Sequence, residues 1–306
     1  MALPHATSPL SRIRPSWRSV LYVPAHVPRF VETAHRRGAD AVQRDLEDSV
    51  PVAQKEAARA GVAAAARIVG QSGADVLVRI NRPLSLAVRD IEASVGPAVH
   101  GLSITKVEGP SHVRLLDELV GECERRAGMP QGQTCFILLI ETAAAFEAMA
   151  AIVRASPRVV ALSLGSEDFA LDCGFAPNDD VMLMPKQQMV IAARAAGMIP
   201  LGTLGSVVNI ADTVAYRAMV RRSRQFGFEA ATCVHPAQVA IVNEEYGVSE
   251  GDAADAQRIV GESARHAQAG RGAFELDGKM VDEPIVERAR RTLLRHAAQT
   301  AARTKP

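Results

Sequence analysis

Eight short runs of β-type residues recur along this chain, and helical patterns separate each run from the next. The runs are Ser19–Pro24, Ala41–Asp45, Asp75–Ile80, Gly101–Lys106, Cys135–Glu141, Val159–Gly165, Ile199–Thr203 and Ala230–His235. Glu56–Val69, Ala143–Arg154 and Pro185–Ala196 are examples of the intervening helical stretches. Parallel strands need such crossovers, so strict alternation predicts an α/β protein. Eight repeats predict a closed (β/α)8 TIM barrel over residues 17–246, and such barrels place their chemistry at the C-terminal ends of the strands. Scattered charges then become one expected cluster, because Asp45, Arg79, Lys106, Glu141, Asp168 and His235 each end or follow a run.

Five apolar residues, Phe136–Ile140, run straight into Glu141, as expected of a strand buried on both faces that stops at the barrel mouth. The next run leads into Ser166-Glu167-Asp168. Adjacent strands thus deliver two acids to one rim, where unpaired carboxylates repel unless a cation lies between them. Mg²⁺ suits that position, since it commonly takes one or two protein carboxylates and completes its octahedron with water and substrate oxygens. Glu141 and Asp168 are therefore the expected metal ligands. The plainer alternative makes them acids favoured at helix N-termini. Asp45, Glu47 and Asp48 are candidates for supporting metal-bound waters or neighbouring cations. Arg79, deep in an apolar strand, needs an anionic partner, either a protein acid or a substrate carboxylate. Lys106 reads as an ion-pair partner of the rim acids, with a Schiff base as the other possibility. His235 ends the last run; a lone histidine is more often structural than catalytic, though this one lands on the active rim and is a candidate for a supporting role around the metal. The stretch Leu201–Ser206 reads either as a phosphate cradle or as a tight turn.

Composition narrows the function classes. A chain of 306 residues with 48% hydrophobic content can bury a full barrel core. A formal charge of +1 gives no electrostatic case for nucleic acid or an anionic membrane. No apolar stretch approaches the roughly 20 residues that span a bilayer. Cys123, Cys135, Cys173 and Cys233 lie far apart, which fits a reducing cytoplasm rather than a disulfide framework. The basic segment 1–16 reads as a disordered leader, because Pro4, Pro9 and Pro15 interrupt any targeting helix. Residues 247–306 read as a helical extension serving as a lid: a helix Ser249–Gln268, a turn at Asp277-Gly278, and a last helix from Glu283.

Several ordered motifs now carry a resemblance. They are Arg18–Pro24, Asp45–Val50, Val78–Asn81, Lys106–Glu108, Ile140–Thr142, Gly165–Asp168, Val234–Pro236 and Asp277–Asp282. From about residue 17 to 298 the chain resembles the citrate lyase β-subunit family of the HpcH/HpaI aldolase superfamily, which includes malyl-CoA and citramalyl-CoA lyases. The resemblance implies a barrel with Mg²⁺ on Glu141 and Asp168, and Arg79 on the carboxylate of a 2-oxo acid. It places Gly165 and Ser166 against the substrate and gives Glu47 and Asp48 a supporting role at the metal waters. It also implies that Asp282 is a catalytic acid delivered from a neighbouring subunit's lid in a homotrimer or a dimer of trimers. The implied reaction cleaves or forms a β-hydroxyacyl-CoA, with an acyl-CoA and a 2-oxo acid as partners. The alternatives are an aldolase acting on a free hydroxyacid without CoA, and a non-catalytic barrel that binds 2-oxo acids or serves as a subunit. Four places depart from the family pattern: Arg44 where an aliphatic residue is usual, Thr105 for a proline, Gly202–Gly205 after the seventh run, and Met184–Lys186 for a Tyr-x-Arg motif.

Overall fold

A computed structural model describes residues 14–208, 210–268 and 270–303. Eight parallel strands form one sheet: β1 (Ser19–Pro24), β2 (Ala41–Asp45), β3 (Asp75–Ile80), β4 (Gly101–Ile104), β5 (Cys135–Ile140), β6 (Val159–Leu164), β7 (Ile199–Leu201) and β8 (Ala231–Cys233). Their order is β7-β6-β5-β4-β3-β2-β1-β8. A parallel bridge between Leu201 and Ala230, with Gly202 N–H donating to the Ala230 carbonyl at 2.7 Å, joins the two ends into a barrel. The later strands stop one or two residues before the expected ends, so Lys106, Glu141, Gly165 and His235 stand on the loops at the rim rather than in the ladder.

The two-residue period of the strands sorts side chains between two cores. Val20, Ala41, Leu77, Ile137, Ala161 and Ala230 fill the barrel, while Leu21, Val42, Val76, Val78, Phe136 and Leu162 pack under the helices. The same parity turns Gln43 and Asp45 inward on β2 and Arg79 inward on β3. Inside, the Ser103 hydroxyl donates to Gln43 Oε1 at 2.5 Å, so the barrel changes from apolar to polar on approaching the rim. Trp17 closes the base, donating from Nε1 to Asp75 at 2.7 Å.

Local chemistry modifies some expected helices. The stretch Glu56–Val69 is divided at Gly61 into Lys55–Ala60 and Val62–Gly70, and Ala143–Arg154 breaks into Ala143–Glu147 and Met149–Ile152. Pro185 does not open its helix. Asn178 caps that helix through the Val181 N–H at 3.0 Å, and Pro185 lies inside Asp179–Ala195. At the N-terminus, Arg14 pairs with Glu229 at 2.9 Å; residues 1–13 of the expected leader lie outside the described residues.

The extension follows its expected outline. Ser249 caps the helix Glu250–Gln268, a hairpin of β9 (Phe274–Leu276) and β10 (Lys279–Val281) follows, and the helix Glu283–Arg303 returns. Asp277 and Gly278 take positive φ of 52° and 73°, the two-residue turn that suits a twisted hairpin. Both helices pack on each other, and their near ends meet the barrel base. Arg295 donates to the Glu229 and Tyr246 carbonyls at 2.8 and 2.9 Å, and Arg224 pairs with Asp252 at 3.1 Å. Burial in the first helix is confined to Ala253 and Ala256, and the hairpin has its own small core of Phe274, Val281 and Val286. The pair is thus an arm rooted at the base, with Asp282 at its far end.

Gly101 opens β4 against Cys135, where a Cβ would lie 2.8 Å from the Cys135 carbonyl oxygen and collide with Sγ. A backbone carbonyl in a ladder cannot yield. Gly101→Ala is expected to cost about 1–3 kcal/mol, typical of overpacking, read as a lower urea midpoint at unchanged slope.

Candidate functional site

The rim gathers side chains from five consecutive strands. At the end of β2 the Asp45 carboxylate, 1% exposed, accepts Arg79 Nε and Nη2 at 2.7 Å each and the Glu47 N–H at 2.9 Å. Register makes this pair, since Asp45 and Arg79 are direct partners across the β2–β3 ladder. Burial alone would raise the Asp45 carboxyl, but the Arg79 bonds and charge overcome it and hold the group below its ordinary value. Arg79 therefore has a protein acid as its first partner. Its Nη1 lies 2.9 Å from Glu47 Oε2 without hydrogen-bond alignment, and its guanidinium sits 5.1 Å from the centre of the Tyr22 ring. Burial pushes the Tyr22 hydroxyl up to about 12, so the ring is neutral support beneath the cation.

Lys106 follows β4 in a left-handed conformation, φ 47°, which a non-glycine residue adopts at a cost of about 1–3 kcal/mol. That turn aims its N–H at Glu141 Oε2, 2.5 Å away. Its ammonium lies 2.9 Å from Glu47, 3.6 Å from Asp168 and 3.8 Å from Asp48. Partial burial opposes the charge, but these acids raise Lys106 above its ordinary value and keep it an ammonium. The ion-pair reading of Lys106 thus has direct geometry.

Glu141 is 4% exposed, and its carboxyl is pushed up to about 7. Burial is the main cause; the Lys106 N–H opposes it, and the Glu47 and Asp168 charges add to it. Gly165 lies against it, where a Cβ would stand 2.6 Å from Glu141 Oε1, so only glycine leaves this carboxyl its place. Ser166 then opens the helix Ser166–Cys173, with Glu167 and Asp168 in its first turn.

These residues fit a hard divalent cation. The Asp168 charge from the adjacent strand end adds to the raised proton affinity of Glu141, Gly165 leaves room for that carboxyl, and all the donors are oxygens. Among the described residues no three acids, cysteines or histidines converge into a complete cage.

Lys55 and Asn81 are site-supporting residues that sequence reasoning missed. Lys55 Nζ donates to the Leu46 and Glu47 carbonyls at 2.8 and 2.9 Å and to Asn81 Oδ1 at 2.7 Å. Asn81 donates to Leu46 and Asp90, and Asp90 accepts from Arg59 at 2.8 Å. This chain of bonds fixes the loop that carries Glu47. The one available signal was a lysine opening a helix just after three acids.

Other candidates fall elsewhere. His235 is exposed and caps the helix Pro236–Glu245, its Nδ1 accepting the Ala237 N–H at 3.2 Å. In the Leu201–Ser206 stretch, Thr203 donates to the Gly205 carbonyl and Lys186 to the Leu204 carbonyl, so the tight-turn reading accounts for its polar groups. A cavity of about 830 Å³ opens at the opposite, basal end. Its charged groups are already paired, Asp75 with Trp17 and His100 and Asp40 with Arg18, so the chemistry belongs to the rim.

A family model described as HpcH/HpaI aldolase/citrate lyase matches residues 18–236. Citrate lyase subunit beta of Leuconostoc mesenteroides subsp. cremoris is 30% identical, over 90% of this chain and 92% of that protein. The L-malyl-CoA/beta-methylmalyl-CoA lyase of Cereibacter sphaeroides (strain ATCC 17025 / ATH 2.4.3) is 30% identical, over 93% and 96%. Among solved structures, CitE from Mycobacterium tuberculosis in complex with magnesium, acetoacetate and coenzyme A superimposes with a TM-score of 0.72 at 30% identity, covering 91% of this chain and 97% of that one.

The raised Glu141 carboxyl gives a pH-linked expectation. A cation that binds the carboxylate must displace a proton wherever the group is protonated, which is below about pH 7. Divalent-ion affinity measured by calorimetry should be level above that pH and fall about tenfold per unit below it. A flat profile from about pH 5.5 to 8 would exclude Glu141 as a ligand.

Proposed function

The chain belongs to the HpcH/HpaI aldolase/citrate lyase family, and from this premise we propose that it is a Mg²⁺-dependent carbon–carbon lyase acting on a β-hydroxyacyl-CoA of the malyl, citramalyl or citryl type. The observation that carries the reading is the convergence of Glu47, Asp48 and Asp168 on Lys106, beside a Glu141 carboxyl raised to about 7. Glu141 and Asp168 would hold Mg²⁺, with Glu47 and Asp48 beside it. When bound, the ion supplies Lewis acidity and a template for the carboxylate and hydroxyl oxygens of the hydroxyacid.

The chain's own residues do the rest. Arg79, oriented by Asp45 and the Tyr22 ring, meets the substrate carboxylate with the part of its guanidinium that Asp45 does not engage. The close approach of Gly165 and the start of the helix at Ser166 form the wall against the substrate. In cleavage the hydroxyl proton passes to water at the open mouth, the electron pair left on oxygen forms the carbonyl of the 2-oxo acid as the carbon–carbon bond breaks, and the acyl-CoA departs as an enolate. Asp282 gives that enolate its proton; in condensation the same carboxylate removes it. Because the arm is rooted at the base, Asp282 serves the rim of a second copy in a ring such as a trimer.

Purified protein with Mg²⁺ should cleave at least one of malyl-CoA, citramalyl-CoA and citryl-CoA far faster than the matching free hydroxyacid. Turnover of the free acid alone would establish the CoA-independent aldolase instead. Arg79→Lys keeps the charge and loses the planar fork, so kcat/KM should stay well below wild type. For the shared site, Glu141→Ala and Asp282→Ala oligomers should each be inactive. Co-refolded in equal amounts, they should recover roughly a quarter of wild-type sites, because an intact barrel and an intact arm must meet by two even chances. Hetero-oligomers that stay inactive would place Asp282 outside the neighbouring site.

A further inference from the structure

Arg44 is an electrostatic anomaly in the fold. On β2 the inward residues are Ala41, Gln43 and Asp45, so Arg44 points outward with Val42 and Leu46, into the layer between strands and helices. Its ladder neighbours are Val23 and Val78, both members of that apolar layer. The side chain is 1% exposed.

Among the described residues the other three buried arginines have acids: Arg18 has Asp40 at 2.6 Å, Arg59 has Asp90 at 2.8 Å, and Arg158 has Glu124 at 2.7 Å. Arg44 has one neutral partner, the Ala25 carbonyl, which accepts from Nη2 at 3.0 Å. Among the described residues neither Nε nor Nη1 meets an acceptor, and both are enclosed. The next residue in that turn, His26, also leaves its buried Nδ1 without a partner. Burial pushes the guanidinium down to about 10, and no carboxylate opposes the shift, so a net positive charge persists there at neutral pH. A buried charge is normally paired or bound to an ion, because its desolvation otherwise costs several kcal/mol.

We propose that Arg44 is the binding site for a small inorganic anion, of the chloride class, enclosed between β2 and the Ala25-His26 turn. The unused Nε–H and Nη1–H groups supply charge-assisted donors, and a compact ion asks for the least room beside atoms shut off from solvent. The anion ties the turn after β1 to the strand that carries Asp45, alongside the existing bond from the Ala25 N–H to the Asp45 carbonyl at 3.1 Å.

The test is unfolding of the full chain by urea in sodium chloride titrated against sodium gluconate at constant ionic strength. An ion that binds only the folded state raises the folding constant about tenfold for each tenfold rise in concentration above its dissociation constant. Wild type should show that slope and Arg44→Met should be flat. In gluconate alone the methionine variant should match or exceed wild type, because the unpaired charge is gone. Equal slopes in the two proteins, or no slope in wild type, would overturn the proposal. Should Arg44→Met fail to fold, bromide in wild-type crystals decides: an anomalous peak beside Arg44 Nε or Nη1 supports the site, and its absence there refutes it.

Discussion

Five carboxylates and two cations share the mouth of this barrel, and the balance between them governs how the rim is built. Asp45, Glu47, Asp48, Glu141 and Asp168 outnumber Arg79 and Lys106, so the mouth carries surplus negative charge. Each cation is placed where it neutralises most. Arg79 is clamped by Asp45 and leans on Glu47, while Lys106 spreads its charge over three acids. Of these five acids Glu141 is the one with no cation paired to its carboxylate, and it is buried. Burial and neighbouring charge together hold that carboxyl near 7.

The rest of the rim holds this arrangement still. Lys106 accepts a strained backbone so that its N–H and its ammonium can face two different acids. Lys55 threads the carbonyls of the acidic loop, with Asn81, Asp90 and Arg59 behind it. Catalytic groups need supporting shells of this kind, because a carboxylate free to rotate would follow the nearest cation instead of waiting for substrate. Gly165 contributes by what it lacks, since any Cβ there would occupy the space of the Glu141 carboxyl.

Arg44 and the arm show the same electrostatic logic away from the rim. Among the described residues the other buried arginines are matched with acids, and Arg44, which has none, is where we place the bound anion. The arm is anchored by neutral carbonyls and an exposed ion pair at the base, with its own apolar core at the far end. Contacts of that sort fix where the arm begins and leave its tip free to meet another surface.

Much of this was legible in the linear chain. Run length, two-residue alternation and strict strand–helix order are local properties, so they determined eight strands, a barrel, and which charges stand at its mouth. The Asp277-Gly278 hairpin and the Ser249 cap were readable for the same reason, because a turn or a cap is written within a few residues. Pairing is not local. That Arg79 meets Asp45 depends on the β2–β3 register, and that Lys55 supports the acidic loop depends on how a helix returns across it. His235 ends the last run, yet its ring turns to its own helix as a cap. The outward face of Arg44 follows from parity once Ala41 is known to point inward, but the lack of any acid opposite it is a fact of packing. Strand ends are set by neighbours in sequence; the partners of their charges are set by neighbours in space, and only the folded barrel brings those together.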